Sequence, residues 1–357
     1  MAEPTTLAVP GSAAARAASS YTELVQLVRV SGLMSRRYVY YWGQFVCGAL
    51  ALAGLVLAML WLGNSWFQLI VAALLGCVLS QFGFLGHDAA HRQIFRSAAW
   101  NEWTARLLSG AVLGLSYGWW RGKHNPHHAA PNQVGRDPDI SSGLLAMTKE
   151  LAGRRTGLAH WLTRRQGWLL FPLLTLEGLS LHVGALRHLF SARDPHRALE
   201  VALVVLRLGG LVALLVLLLP LGKAAAFLGV QVGVFGFLLG GSFIPNHTGM
   251  PIVPRGARID FLNRQVLMSR NIRGNVLVDT AMGGLNYQIE HHLFPSMPRP
   301  HLKLVRPVVR EYCAVRDVTY TEVGFFASYA AVVDHLNHVG VGGVNRFECP
   351  MAAQLRE

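Results

Sequence analysis

Seven of the fifteen histidines in this chain fall into three short groups whose spacing is that of metal ligands. HDAAH sets His87 and His91 at i and i+4, a separation that an α-helix stacks on one face. HNPHH supplies His124, His127 and His128, and QIEHH supplies Gln288, His291 and His292. Spacings of i, i+3 and i+4 again turn the side chains toward one side, which is how helical bundles present imidazoles to a metal. A lone histidine near a membrane surface is ordinarily just a polar interfacial residue, but three compact groups are a different matter. Seven imidazoles exceed the four ligands of a structural zinc, and a histidine-rich shell without thiolates suits iron, so two metal ions are the economical reading. The Gln288 amide oxygen is a weaker iron ligand than imidazole and can instead hydrogen-bond a ligand or a bound water. Asp88 and Asn125 lie inside the groups and are expected to hold the ring tautomers from behind. His160, His182, His188, His196, His301, His335 and His338 belong to no group and read as interfacial or surface residues.

Something must bring the three groups together. Crossing a hydrocarbon layer of about 30 Å takes about 20 apolar helical residues. Residues 45–62, 66–86, 201–219 and 224–245 qualify as spans, and the very short links within each pair predict two transmembrane hairpins. A hydrophobic fraction of 52 % against a charged fraction of 14 % agrees with a membrane protein. All Lys and Arg except Arg207 and Lys223 fall in the N-terminal region, in 87–200 or after 245. Basic residues collect on the cytoplasmic side, so both termini, the regions 87–200 and 246–345 and all three histidine groups are expected there. A belt beside anionic headgroups accounts for the net charge of +13 without nucleic acid. Arg121, Lys123, Arg136, Arg270 and Arg273 flank the second and third groups and are candidates for contact with a substrate headgroup.

The expected fold is all-α and integral to the membrane, with a helical cytoplasmic cap holding the site. Residues 1–44 form a flexible tail and pre-membrane helix, 45–345 the membrane domain and 346–357 a C-terminal tail. Segments 168–190 and 107–120 are apolar but interrupted, and each is expected to lie at the interface as an amphipathic helix. A crossing by 168–190 would put the second and third groups on opposite faces. The four cysteines have no CxxC spacing, and neither a disulfide framework nor a zinc knuckle is expected.

GHDAAHRQIF, KHNPHHAAPN and GGLNYQIEHHLFPSMPRPHL resemble the three histidine boxes of membrane fatty acid desaturases, and the glutamine opening the third box resembles the front-end subgroup. The likeness extends over residues 40–315. It implies that the box histidines ligate two irons and that His247, in IPNHTGMP, is a further ligand. It implies a long-chain acyl substrate, carried as acyl-CoA, on acyl carrier protein or in a lipid, with dioxygen as co-substrate. The chain has no HPGG haem motif and little room before its first span, so electrons are expected from a ferredoxin or other external carrier with an NAD(P)H-dependent reductase. The same boxes occur in membrane hydroxylases, acetylenases and ketolases. A histidine-rich transporter would instead place ionisable residues within the spans, where only Arg207 is charged.

Overall fold

The computed structural model describes residues 20–341 apart from 142, 144, 192 and 193. The expected C-terminal tail, the first part of the N-terminal tail and Cys349 lie outside the described residues. The chain opens with α1 (Ser20–Val30), followed by α2 (Tyr38–Leu62) and α3 (Gln68–Ala90). Next come α4 (Ala98–Leu107) and α5 (Tyr117–Ala129), then the short α6 (Lys149–Gly153), α7 (Gly157–Thr163) and α8 (Leu170–Leu174). They lead to α9 (Glu177–Ser191), α10 (Arg197–Leu218) and α11 (Leu221–His247). The remainder comprises α12 (Phe261–Leu267), β1 (Asn271–Arg273), α13 (Val276–Ala281), α14 (Gln288–Leu293), α15 (Arg299–Val315), β2 (Glu322–Gly324) and α16 (Phe325–Val341). The two strands pair in parallel, with Asn271 opposite Glu322.

Four helices, α2, α3, α10 and α11, are long and apolar enough to cross a membrane. They divide into an inner and an outer pair. In their most apolar stretches 56 % of α3 and 44 % of α11 is buried, against 6 % of α2 and 11 % of α10. Val46, Leu50, Trp61, Leu206 and Leu217 are exposed on the outer pair, an apolar surface that suits lipid and not water. The inner pair meets at a glycine. A Cβ on Gly76 would lie 2.9 Å from both the Gln231 carbonyl oxygen and Val234 Cβ, so the backbones approach where no side chain intervenes. Helix α9 packs on α11 in the same way, and a Cβ on Gly236 would fall 2.1 Å from Gly178 N.

The end of α11 is unusual because it contains Pro245. Proline has no N–H, so the carbonyl four residues earlier, on Gly241, loses its helical partner. The Tyr329 hydroxyl, on α16, donates to that oxygen at 2.8 Å. Buried Arg270 bonds the carbonyls of Pro245 and Thr248 at 2.6 and 2.7 Å. The helix can therefore run to His247 although a proline interrupts its ladder.

Several expectations are revised. The helix expected before the first span is α1, and it is packed, not surface-lying: it buries Leu24 and Val28 against the cluster that includes Val305 and Val309 of α15, and Tyr21 Oη donates to the Leu293 carbonyl at 2.6 Å. Segment 107–120 is not one helix. A π-helical stretch, Leu108–Leu113, ends at Gly114 with φ 76°, and Ser116 then caps a new helix by accepting from Trp119 N. Segment 168–190 breaks between α8 and α9, where Thr175 and Leu176 close tight turns onto Pro172 and Leu173. Its Leu170 and Leu174 bury against Val332 and Leu336, while Phe171, Leu179 and Phe190 stay exposed.

The Gly236 contact leaves no room for a side chain. Gly236→Leu should destabilise the protein by about 1–3 kcal/mol through overpacking, read as earlier unfolding in detergent. An unchanged melting profile would mean that α9 does not seat on α11 as described.

Candidate metal centre

Ring nitrogens from four parts of the chain converge. His87 ends α3, and His91 follows it by one turn. His124, His127 and His128 come from the last turns of α5, His247 ends α11, and His291 and His292 lie in α14. One group comprises His87, His91, His124, His128 and His291, and a second comprises His127, His247 and His292; within each, the ligand atoms all lie within 4.8 Å of one another. The groups adjoin, because the His128 and His292 rings stack at 4.2 Å.

The spacing fits cations between these rings. Nε2 of His91 lies 2.8 Å from Nε2 of His124, which lies 3.0 Å from Nε2 of His128. His128 and His291 approach at 3.2 Å, and His127 and His247 at 3.3 Å. A neutral imidazole carries one N–H, so a cluster of mutually facing nitrogens cannot satisfy itself by hydrogen bonding. Buried Nε2 atoms of His87 and His292 have no hydrogen-bond partner. Burial first, then repulsion from neighbouring imidazoles, lowers the pKa of His124, His128, His291 and His292, which keeps them in the neutral form that binds metal.

Three rings are held from behind. His127 Nδ1 donates to Asp137 Oδ2 at 3.0 Å, His247 Nδ1 to the Met268 carbonyl at 2.9 Å, and His292 Nδ1 to Gln265 Oε1 at 2.9 Å. Each bond puts the ring proton on Nδ1 and turns the Nε2 lone pair toward the centre. Burial opposes charge on His127, but its bond to Asp137 and the charges of Asp139 and Asp137 raise its pKa overall. Asp137 is itself fixed by the backbone N–H groups of Asn132 and Asp139 at 2.7 and 2.9 Å.

Gln288 also reaches the centre, with its Nε2 2.9 Å from Nε2 of His247. Its Oε1 accepts from Asn246 Nδ2 at 3.2 Å, and Asn246 is oriented by donating to the Ser242 carbonyl at 2.9 Å. The amide atom that Gln288 turns toward His247 is thus its nitrogen, a donor.

The other expected residues separate. Asp88 is buried, but its Oδ2 pairs with Arg299 Nη2 at 2.6 Å and its Oδ1 lies 3.7 Å from His87 Nδ1, too far for a hydrogen bond. Asn125 is exposed, because its position on α5 faces away from the side shared by His124, His127 and His128. Arg270 is no surface cation: it is buried against the end of α11, and burial lowers its pKa to about 10. Arg121, Arg136 and Arg273 are exposed, and Lys123 pairs with Asp139 at 3.0 Å. His301, expected at the surface, is buried, and its Nδ1 donates to the Leu33 carbonyl at 2.6 Å. Sequence reading missed Asp137, Gln265 and the Met268 carbonyl. The Asp-Pro-Asp run just after the second group was a visible signal for Asp137; the other two left none.

On one side the imidazoles face a cavity of about 630 Å³. Leu113, Leu181, Leu239 and Phe243 line it, and His87, His124, His127 and His247 border it.

The site is thus a buried polyhistidine centre beside a largely apolar cavity, carried on long apolar helices. The family model described as fatty acid desaturase matches residues 64–324. The chain belongs to that family. It is 30 % identical over 330 residues to an acyl-lipid (9-3)-desaturase of Physcomitrium patens, covering 89 % of this chain and 62 % of that protein. It is 30 % identical over 300 residues to a Delta(8)-fatty-acid desaturase of Helianthus annuus, covering 78 % and 64 %. A Delta(5) fatty acid desaturase of Caenorhabditis elegans is 27 % identical over 340 residues, covering 90 % and 73 %. The chain thus spans less than two thirds of the length of the first two relatives.

Asp137 is the orienting contact that a single substitution can remove. Asp137→Asn should weaken metal retention by about 10- to 100-fold, measured by competition with a chelator, while helical content by circular dichroism stays unchanged. Wild-type retention would remove Asp137 from the site.

Proposed function

We propose that the protein is a membrane fatty acyl desaturase that forms a carbon-carbon double bond in a long acyl chain at a di-iron centre. The observation that carries this reading is the apolar cavity opening directly onto two adjoining groups of imidazoles. His87, His91, His124, His128 and His291 would hold one iron, and His127, His247 and His292 the other. When bound, iron supplies the oxidising power with dioxygen that an unactivated methylene requires. The overall change takes one acyl chain, one dioxygen, two electrons and two protons to one alkene and two waters.

The chain's own residues bind, align and shield. Leu113, Leu181, Leu239 and Phe243 hold the acyl chain out of water, so that one pair of carbons lies beside His87 and His124. Trp120 stacks on His124 at 4.2 Å and restricts that ring's rotation. Asp137, Gln265 and the Met268 carbonyl keep their rings in the ligating tautomer. Gln288 offers an N–H toward the centre. The relatives are named acyl-lipid, Delta(8) and Delta(5) desaturases, which favours desaturation over hydroxylation at the same kind of site.

The four long helices form two membrane hairpins. Lys223 Nζ bonds Asn64 Oδ1 at 2.8 Å, which joins the two tips. Helices α3 and α11 both start at that end and finish in His87, His91 and His247, so the centre lies at the opposite, cytoplasmic end, where the basic residues gather. Electrons come from an external carrier such as a ferredoxin with its reductase, docking on that basic face.

Purified without chelator, the protein should contain about two irons per chain, because the imidazoles form two groups. His128→Ala and His292→Ala should each abolish product by mass spectrometry of cellular lipids and lower iron content, with membrane insertion intact. One zinc per chain with full activity would reject the di-iron reading. In topology, cysteines placed at Asn64 and Lys223 should label only from the extracytoplasmic side, and labelling from the cytoplasm would invert the arrangement.

A further inference from the structure

Arg207, the charged residue within the spans, has no part in the metal centre. It stands about 15 Å from the start of α10 at the helical rise. A cation at membrane depth is costly, and such residues are kept where something needs them. Arg207 is partly buried, and among the described residues no carboxylate pairs with it. Its Nε donates to the Val112 carbonyl at 2.6 Å.

Val112 belongs to the π-helical stretch Leu108–Leu113, a rare conformation that is frequent at functional sites. Where the stretch ends, Gly114 N and Leu115 N return to the carbonyls of Gly110 and Ser109 at 3.2 and 2.8 Å. The next carbonyls are met from other helices. Arg207 takes that of Val112, and His182, on α9, turns its ring nitrogens to the carbonyls of Leu113 and Gly178 at 3.2 and 2.6 Å. Helix α10 seats closely on the same stretch. A Cβ on Gly110 would lie 2.8 Å from Leu203 Cβ, and one on Gly114 2.7 Å from Leu208 Cδ2.

What these contacts hold is a wall of the cavity, lined by Ser109, Leu113 and Leu115. A Cβ on Gly83, across the cavity on α3, would lie 3.3 Å from Leu239 Cδ2 and 4.0 Å from Leu113 Cδ1. Gly83 precedes His87 by one helical turn, about 6 Å. Leu113 therefore stands one turn from a ring of the centre, and its place depends on a backbone segment outside any regular α-helix. Resting on the desaturase reading, we infer that Arg207 is a positioning residue: by holding the Val112 carbonyl it fixes Leu113 against the acyl chain and so decides which carbons lie at the centre. The cation is retained in the span for its directed N–H, and the wall it holds admits a straight chain and excludes a wider one.

The test uses the full chain in nanodiscs without reductant, where substrate binds but does not turn over. Methyl stearates carrying one methyl branch at successive carbons compete against a fluorescent acyl probe. Wild type should reject branches at the few positions that fall at Leu113 by about tenfold relative to the straight chain, ~1.4 kcal/mol. Arg207→Met keeps the side-chain length without the donor and should lose most of that rejection, as should Leu113→Ala. Arg207→Gln places an amide N–H as many bonds from the backbone as the arginine Nε and should restore it. Both Arg207 variants remove a charge from a span, so membrane insertion is not impaired. With electrons supplied, Arg207→Met should spread the double bond over neighbouring carbons by mass spectrometry, whereas Arg207→Gln should keep one position. A lower melting temperature in Arg207→Met with the rejected positions and the product unchanged would make Arg207 a stabilising residue only and overturn the inference. So would a wild type that accepts every branch equally. Arg207-dependent rejection in a protein that forms no alkene with any electron donor would uphold the wall and overturn the desaturase reading instead.

Discussion

Everything in this protein depends on making buried imidazole nitrogens face one another at hydrogen-bond distance. That arrangement is unfavourable without a cation, because each neutral ring offers one donor and the facing lone pairs repel. The protein holds it by fixing rings from behind. Asp137, Gln265 and the Met268 carbonyl each accept an Nδ1 proton, and each of those residues is anchored in turn. Gln265 donates to the His128 carbonyl, Asn132 bonds both Asp137 and the His247 carbonyl, and Arg264 donates to the Ala129 carbonyl. The end of α5 is thereby tied to the end of α11 and to α12.

Such a lattice tolerates little movement of the helices that carry it. Glycine contacts at Gly76 and between Gly178 and Gly236 bring backbones together without rotamer-rich side chains between them, so α3, α9 and α11 have one way to pack. The outer helices α2 and α10 contribute mainly apolar cover toward lipid. Cross-links reach the third box as well: Gln93, just past the first box, accepts from Tyr41 and donates to the Pro295 carbonyl at 2.8 Å.

Buried charge is matched throughout the same region. Arg106 pairs with Glu200, whose other oxygen accepts from Ser116 at the start of α5. Arg299 pairs with Asp88 beside the first box, and Arg270 satisfies carbonyls freed at the end of α11. Leaving any of these cations unpaired would cost several kcal/mol. Each contact also fixes a helix that carries histidines of the centre or the segment beside them. The polar groups that stabilise the scaffold therefore set the geometry of the centre as well.

The sequence by itself determined the three histidine groups and the apolar helices, because both are local. Ligand spacing is a property of one helical turn, and membrane-spanning length is a property of one continuous segment. His247 was legible only through a family resemblance, since it stands alone in its own stretch. Tertiary structure decided what lies behind and beside the rings. Asp137 supports His127 across ten residues and Gln265 supports His292 across 27, separations that no periodicity encodes. It also decided against Asn125 and Asp88 as ring supports, because exposure and the pairing with Arg299 depend on which helix packs where. The breaks in 107–120 and 168–190 have the same origin: Ser116 bonds a glutamate 84 residues away, and Gly178 meets a glycine on another helix. Hydrophobicity alone recorded both segments as continuous, and contacts distant in sequence divided them.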